Sequence, residues 1–255
     1  MFTNMIHPPE DQLTGCLERS CDCGSYFPVY ERDNALIERR FWKDFADDEC
    51  GLEPYVSRIF NQGREGSCAS NATAQAMEIV TSQQIGKDQS TRLSAISLYT
   101  RVGRNANSGS SIPSNIQEVA ERGLLPLNTT ENKEKYDHTH PATGFSERLP
   151  SGWEETAKLF QAFEWFDIQS FDGIATCLLK GFPVVYGRAG HAICGVNLVR
   201  RGGEWCIKYA NSWGNWGEHG YGYDSEDFVS RSVPSYGAFG VRVVNADYSD
   251  VPEAH

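Results

Sequence analysis

Asn61-Gln62-Gly63-Arg64-Glu65-Gly66-Ser67-Cys68-Ala69-Ser70-Asn71-Ala72 is a glycine-punctuated loop that runs into a helix, with a cysteine at the junction. After Cys68, small or apolar residues recur at Ala69, Ala72, Ala76, Ile79 and Val80. That is the i, i+3, i+4, i+7 spacing of a helix buried along one face. Cys68 then falls in the first turn, where the helix dipole and free backbone N–H groups favour an anion and lower a thiol pKa. Gly63 and Gly66 let the backbone pack closely and adopt positive φ. A nucleophile would be placed at such a junction; an ordinary buried cysteine also fits there.

On the N-terminal side of this loop, residues 1–50 are rich in Pro, Asp and Glu with scattered aromatics and no clear period. They read as an extension packing on the main body, with a short helix within Arg32 to Phe45. On the C-terminal side the helix is predicted to run to about Ser82. Ala95, Ile96, Tyr99 and Val102 predict a second helix, and Pro113 opens a third that Gly123 stops. Leu124 to Ser151 reads as a connector. Its Asp137-His138-Thr139-His140 run imitates a metal site but is expected to be a solvated surface stretch. Phe171 to Lys180 predicts a short helix stopped by Gly181. Strands follow from Pro183, over His191 to Val199, over Glu204 to Ala210, at Gly220 to Tyr223 and over Ala238 to Val244. Helices followed by antiparallel strands indicate an α+β fold with two lobes. The expected division is an extension at 1–50, a catalytic domain at 51–245 that is mainly helical to 130 and mainly β beyond, and a tail at 246–255.

Arg200-Arg201-Gly202-Gly203 makes the turn between two of these strands. A hairpin centred near Arg201 sets His191 roughly opposite Asn211 at its open end, within reach of a facing side chain. A histidine beside an amide is the base-and-orienter pair that nucleophilic cysteine chemistry needs. The plainer alternative is a histidine that begins a strand and bonds to backbone. Asn211 also opens an unusual run, Asn211-Ser212-Trp213-Gly214-Asn215-Trp216-Gly217-Glu218-His219-Gly220-Tyr221.

Three blocks, in order, resemble the papain family of cysteine peptidases. Gln62-Gly63 with Gly66-Ser67-Cys68 resembles its cysteine block. Gly190-His191-Ala192 resembles its histidine block, and Asn211-Ser212-Trp213-Gly214 with Trp216-Gly217-Glu218 and Gly220-Tyr221 its asparagine block. Gly181-Phe182-Pro183-Val184 fits the strand before the histidine. His191 and Asn211 lie 123 and 143 residues beyond Cys68, close to the separation typical of that family. The resemblance spans about Val56 to Val244. It implies a helical lobe and an antiparallel β-barrel-like lobe with the active-site cleft between them. It implies Cys68 as the thiolate nucleophile, His191 as its ion-pair partner and acid, and Asn211 as the orienter. Gln62 would join the Cys68 backbone N–H as the oxyanion hole. Trp213 would shield the histidine–asparagine contact, and Gly109 would line the substrate cleft, with Gly190 beside it.

The departures lie around these residues. Arg64-Glu65 stand where the family has a cysteine, so that disulfide cannot form and something else must hold the loop. Ala69 replaces an aromatic, and Gly190 an acidic or polar residue. These differences suggest a divergent, microbial or viral, member. With 67 residues before Cys68, activation by removal of a typical propeptide is not expected. Residues 1–50 are expected to pack against a lobe rather than to plug the cleft.

The implied function is a cysteine endopeptidase acting on a peptide or protein substrate. The alternatives are a catalytically silent relative serving as a component of an assembly, and a transamidase or isopeptidase with the same machinery. A formal charge of −11 and a pI near 5.0 argue against nucleic acid as a partner. No signal-peptide pattern or membrane-spanning stretch is legible, which fits the cytoplasm, a virion or another assembly, with no membrane partner. Cys177, Cys194 and Cys206 lie in apolar elements and are expected to be free. Cys16, Cys21, Cys23 and Cys50 leave a disulfide or zinc open, although Cys21-Asp22-Cys23 lacks the two-residue gap of a zinc knuckle. No metal or cofactor is expected. Asn71-Ala72-Thr73 matches a glycosylation acceptor only by chance, since it lies on the predicted buried helix.

Overall fold

The structure, a computed structural model, describes residues 9–10, 12–19, 27–46, 51–137, 144–145, 148–161 and 163–243. In chain order its elements are β1 (Cys16–Leu17), α1 (Tyr30–Asp33), α2 (Trp42–Phe45), α3 (Cys68–Ile85), α4 (Ala95–Val102), β2 (Ser110–Ser111), α5 (Ile112–Arg122), α6 (Thr130–Tyr136), α7 (Trp153–Ala157), β3 (Phe163–Ile168), α8 (Phe171–Leu179), β4 (Val184–Arg188), β5 (His191–Arg201), β6 (Glu204–Ala210), β7 (Tyr221–Ser225), α9 (Glu226–Tyr236) and β8 (Ala238–Val243). The fold is α+β with two lobes. Six strands form an antiparallel sheet in the order β3-β8-β4-β5-β6-β7. Helices α3, α4 and α5 form the other lobe, and α3 reaches from there onto β4, β5 and β8.

Helix starts follow local chemistry. Ser94, Ser111, Thr129, Ser170 and Ser225 each accept a backbone N–H of the first turn through the side-chain oxygen, which satisfies a donor that the helix itself cannot. Gly123 closes α5 at φ 74°, where a side chain would be strained.

The central helix differs from the expected one-sided pattern. Every residue of α3 from Cys68 to Ser82 is buried, because the helix is enclosed by sheet on one side and by α4 and α5 on the other. Its polar residues therefore need internal partners. Glu78 receives Arg58, the Ser57 hydroxyl at 2.7 Å and the Leu93 backbone N–H at 2.7 Å. Arg58 also spans to both carboxylate oxygens of Asp137 at 2.9 Å. Asp137 is thus buried in an ion cluster and is no surface residue, while His138, Thr139 and His140 lie outside the described residues. Asn71 is fully buried and donates to Ser67, a place no glycan could reach.

Further differences are local. The helix expected within Arg32 to Phe45 is broken into α1, a 3-10 turn at Arg39–Phe41 and α2. Helices α6, α7 and α9 and strand β3 arise where no element was predicted. Trp42 is buried against Trp205 and Phe171, with ring centres 5.6 and 6.0 Å away, and so ties residues 27–46 to the sheet lobe. No helix among the described residues is long and apolar enough to cross a membrane. Cys16, Cys68, Cys177, Cys194 and Cys206 are free and buried; Cys21, Cys23, Cys50 and residues 246–255 lie outside the described residues.

Candidate active site

Cys68 is the first residue of α3 and is fully buried. The backbone N–H groups of Ala192, Gly15 and Ala69 point at its sulfur and favour the thiolate, but burial outweighs them and pushes the thiol up to about 11. The helix start alone does not decide the charge state, because desolvation acts on the ion more strongly than the dipole does.

His191 opens β5 directly after the two-residue turn Ala189-Gly190, whose φ values are 44° and 81°. Its Nε2 lies 2.7 Å from Asn211 Oδ1. Because an amide oxygen only accepts, Nε2 carries the proton and Nδ1 keeps its lone pair. Asn211 Oδ1 also accepts the Ser212 backbone N–H at 2.8 Å, which fixes the amide orientation. The hairpin does not set His191 and Asn211 face to face. Its register runs Cys194↔Ala210 beyond a bulge at Gly195/Asn197, so the two side chains meet along a diagonal. Trp213 stacks on the imidazole at 4.3 Å and 21° and shields the pair.

The imidazole is 1% exposed. Burial, with the neighbouring Arg188 cation adding to it, pushes His191 down to about 3 against the opposing pull of the Asn211 bond. Burial therefore favours the neutral form of both thiol and imidazole. It works against the ion pair implied by the resemblance, because both groups are dry.

They are dry because residues 12–17 lie across them. Leu13 C=O accepts from Gln62 Nε2 at 2.8 Å. Gly15 N–H points at the Cys68 sulfur, and Gly15 C=O accepts from Ser110 N–H at 2.9 Å. Cys16 N–H donates to Gly190 C=O at 2.8 Å, and β1 pairs parallel with β2. The fit leaves no room for a side chain: a Cβ on Gly15 would meet the Gly66 carbonyl oxygen at 2.2 Å, and one on Gly109 would meet the Gly15 carbonyl oxygen at 2.2 Å. The N-terminal segment thus fills the cleft, where packing against a lobe was expected. Composition does not reveal this; backbone pairing does.

Gln62 Nε2 also donates to Glu65 C=O at 2.7 Å, and its side-chain oxygen accepts from the Ser212 hydroxyl. These bonds answer what holds the loop without a disulfide. The Glu65 carboxylate takes the Phe145 N–H at 2.7 Å. Gly66 N–H binds Ala106 C=O at 2.7 Å, and Gly214 N–H binds Phe60 C=O at 2.9 Å.

Gln62, Cys68, Gly109, Gly190, His191, Asn211 and Trp213 are all brought to one cleft. Sequence reasoning did not place Leu13, Gly15, Cys16 and Ser110 at the site, nor Arg188. Arg188 is the strand partner of His191 and lies 1% exposed between Asp224, at 2.8 Å, and the Tyr209 hydroxyl. Thr14-Gly15-Cys16 offered one signal, a glycine able to pass close over another backbone.

No family model matches the chain, and no curated protein matches it. Among solved structures it is similar to xylellain, a cysteine protease from Xylella fastidiosa, at 18% identity and a TM-score of 0.67 over 94% of this chain and 100% of that one. It is similar to digestive procathepsin L 3 of the Tenebrio molitor larval midgut at 19% identity and a TM-score of 0.60, over 85% and 73% of the two chains. It is also similar to the proform of the ragweed pollen allergen Amb a 11, a cysteine protease, at 16% identity and a TM-score of 0.61, over 85% and 73%. At these identities the likeness establishes the fold, which is the papain-like two-lobe fold.

Proposed function

We propose that the chain is a cysteine peptidase that hydrolyses peptide bonds, captured here in a covered, latent form. The observation that carries this is the Nε2–H bond of His191 to Asn211 beneath Trp213, beside a thiol at a helix start. The bond leaves Nδ1 as the base. Once the segment over the cleft is displaced, Nδ1 takes the Cys68 proton and the sulfur attacks the substrate carbonyl carbon. The oxyanion is held by Gln62 Nε2–H and the Cys68 N–H; the bond from Gln62 to the Leu13 carbonyl supports this reading. His191 then returns its proton to the leaving amine, and water cleaves the thioester. Two of the similar structures are precursor forms by description, which fits a covered state.

The same cover is what a silent relative would show, so the test must remove it. A variant lacking residues 1–17 should cleave members of a peptide library and be labelled at Cys68 by a vinyl-sulfone probe, and Cys68→Ala should abolish both. Absence of both in the trimmed protein would falsify the peptidase reading. Product analysis with an added amine separates hydrolysis from transamidation.

A further inference from the structure

Beside Asn211, a small cavity of about 10 Å3 is lined by Phe60, Asn71, Gln75, Ala192, Asn211 and Ser212 among others. Three of these residues carry buried side-chain atoms with no hydrogen-bond partner among the described residues: Asn71 Oδ1, both amide ends of Gln75, and Asn211 Nδ2. Each residue is 2% exposed or less. Four orphaned polar atoms on three residues that line one small space are unusual, since a buried unpaired donor or acceptor destabilises the fold. The volume suits about one water, and a buried water takes two to four polar partners.

We propose that this cavity is a water site, and that Asn71 and Gln75 act through that water as positioning residues for the Asn211 amide. One water answers three of the four orphaned atoms and leaves Gln75 Nε2 without a partner. Asn211 Oδ1 is already committed to His191 and to the Ser212 N–H, so Nδ2–H is the group left without a partner. Asn71 commits its Nδ2 to Ser67, so its oxygen is left as acceptor. A water accepts from Asn211 Nδ2–H and donates to Asn71 Oδ1 and to the Gln75 amide oxygen. Asn71 and Gln75 stand one turn apart on α3, three and seven residues after Cys68. One rigid helix thus places the thiol directly and the amide that orients the imidazole indirectly.

The catalytic meaning rests on the peptidase reading, but the test does not. A high-resolution crystal structure of the full chain should show one ordered water within hydrogen-bond reach of Asn71 Oδ1, the Gln75 amide and Asn211 Nδ2. Gln75→Met, close in volume and without the amide, should lose that water. In 15N spectra of the imidazole, His191 should shift from the Nε2–H form toward a tautomer mixture. Gln75→Glu, neutral when buried and still an acceptor, should restore the Nε2–H form. If Gln75→Met does not fold, Asn71→Ala, which withdraws the other acceptor, should give the same shift. A dry cavity in a crystal that orders other buried waters would overturn the proposal. So would an Nε2–H signal unchanged in the variants. A protein lacking residues 1–17 that stays inactive, while the full chain shows the water and the tautomer shift, would sink the peptidase reading alone.

Discussion

At Cys68 the helix start and burial act in opposite directions, and burial wins while the cleft is covered. A thiol held at about 11 is almost wholly protonated at neutral pH. Iodoacetamide should therefore modify Cys68 of the full chain very slowly at pH 7, whereas the variant lacking residues 1–17 should react quickly at that pH. Equal rates at Cys68 in the two proteins would refute the idea that the cover sets its reactivity. Gln62 is the second residue whose worth can be measured. In the trimmed protein, Gln62→Ala should lower kcat about 100- to 1000-fold with little change in KM, as expected when an oxyanion donor is lost. His191 gives a pH dependence with a definite sign. Its pKa is about 3 when covered and 6.5 when exposed, so between those values the open or unfolded state binds more protons. The covered state keeps its full stability above about pH 6.5 and loses it as pH falls toward 3, by at most on the order of 1.4 kcal/mol per unit from this group. Denaturant titrations should show that His191→Gln flattens part of this acid limb; an unchanged limb would rule out the assignment.

Among the elements, the strap at residues 12–17 and the helix α3 carry the most information. The strap passes over Gly66 and Gly109 so closely that neither Gly15 nor Gly109 can carry a Cβ without displacement. Gly15→Val should thus eject the strap without altering any residue of the cleft wall. The full-length variant should then be labelled at Cys68 as fast as the trimmed protein, and labelling as slow as wild type would refute the proposed seating. Helix α3 is buried all round, and the ion cluster of Arg58 with Glu78 and Asp137 is part of the reason it can be. Removing one partner leaves a buried charge uncompensated, which costs about 3–5 kcal/mol. Glu78→Ala should lower the unfolding free energy by about that amount, read from the denaturant midpoint. Helices α3, α4, α5 and α8 and strands β4 to β8 could be anticipated because their signals are local. Helix α6 was hidden in a charged stretch, and α9 carries Pro234 in its last turn, a residue that argues against a helix until packing overrides it.

Across the whole molecule, sequence by itself determined the class of fold and the identity of the candidate site. Cys68, His191, Asn211 and Gln62 stand in ordered blocks with the spacing of loop-to-helix and strand-to-loop junctions. Such junctions are encoded by neighbours in the chain, namely glycines, capping residues and alternating apolar positions. Tertiary structure alone decided the state of that site. The backbone hydrogen bonds of residues 12–17 carry no side-chain signature, so the cover could not be read from composition. The bias of thiol and imidazole toward their neutral forms follows from burial, a property of everything packed around them. The orphaned amides of Asn71 and Gln75 became visible only when α3 was seen to be enclosed on every side. In sequence they were polar positions on a helix; in the fold they line one cavity with Asn211, where a polar atom must find a partner or destabilise the protein.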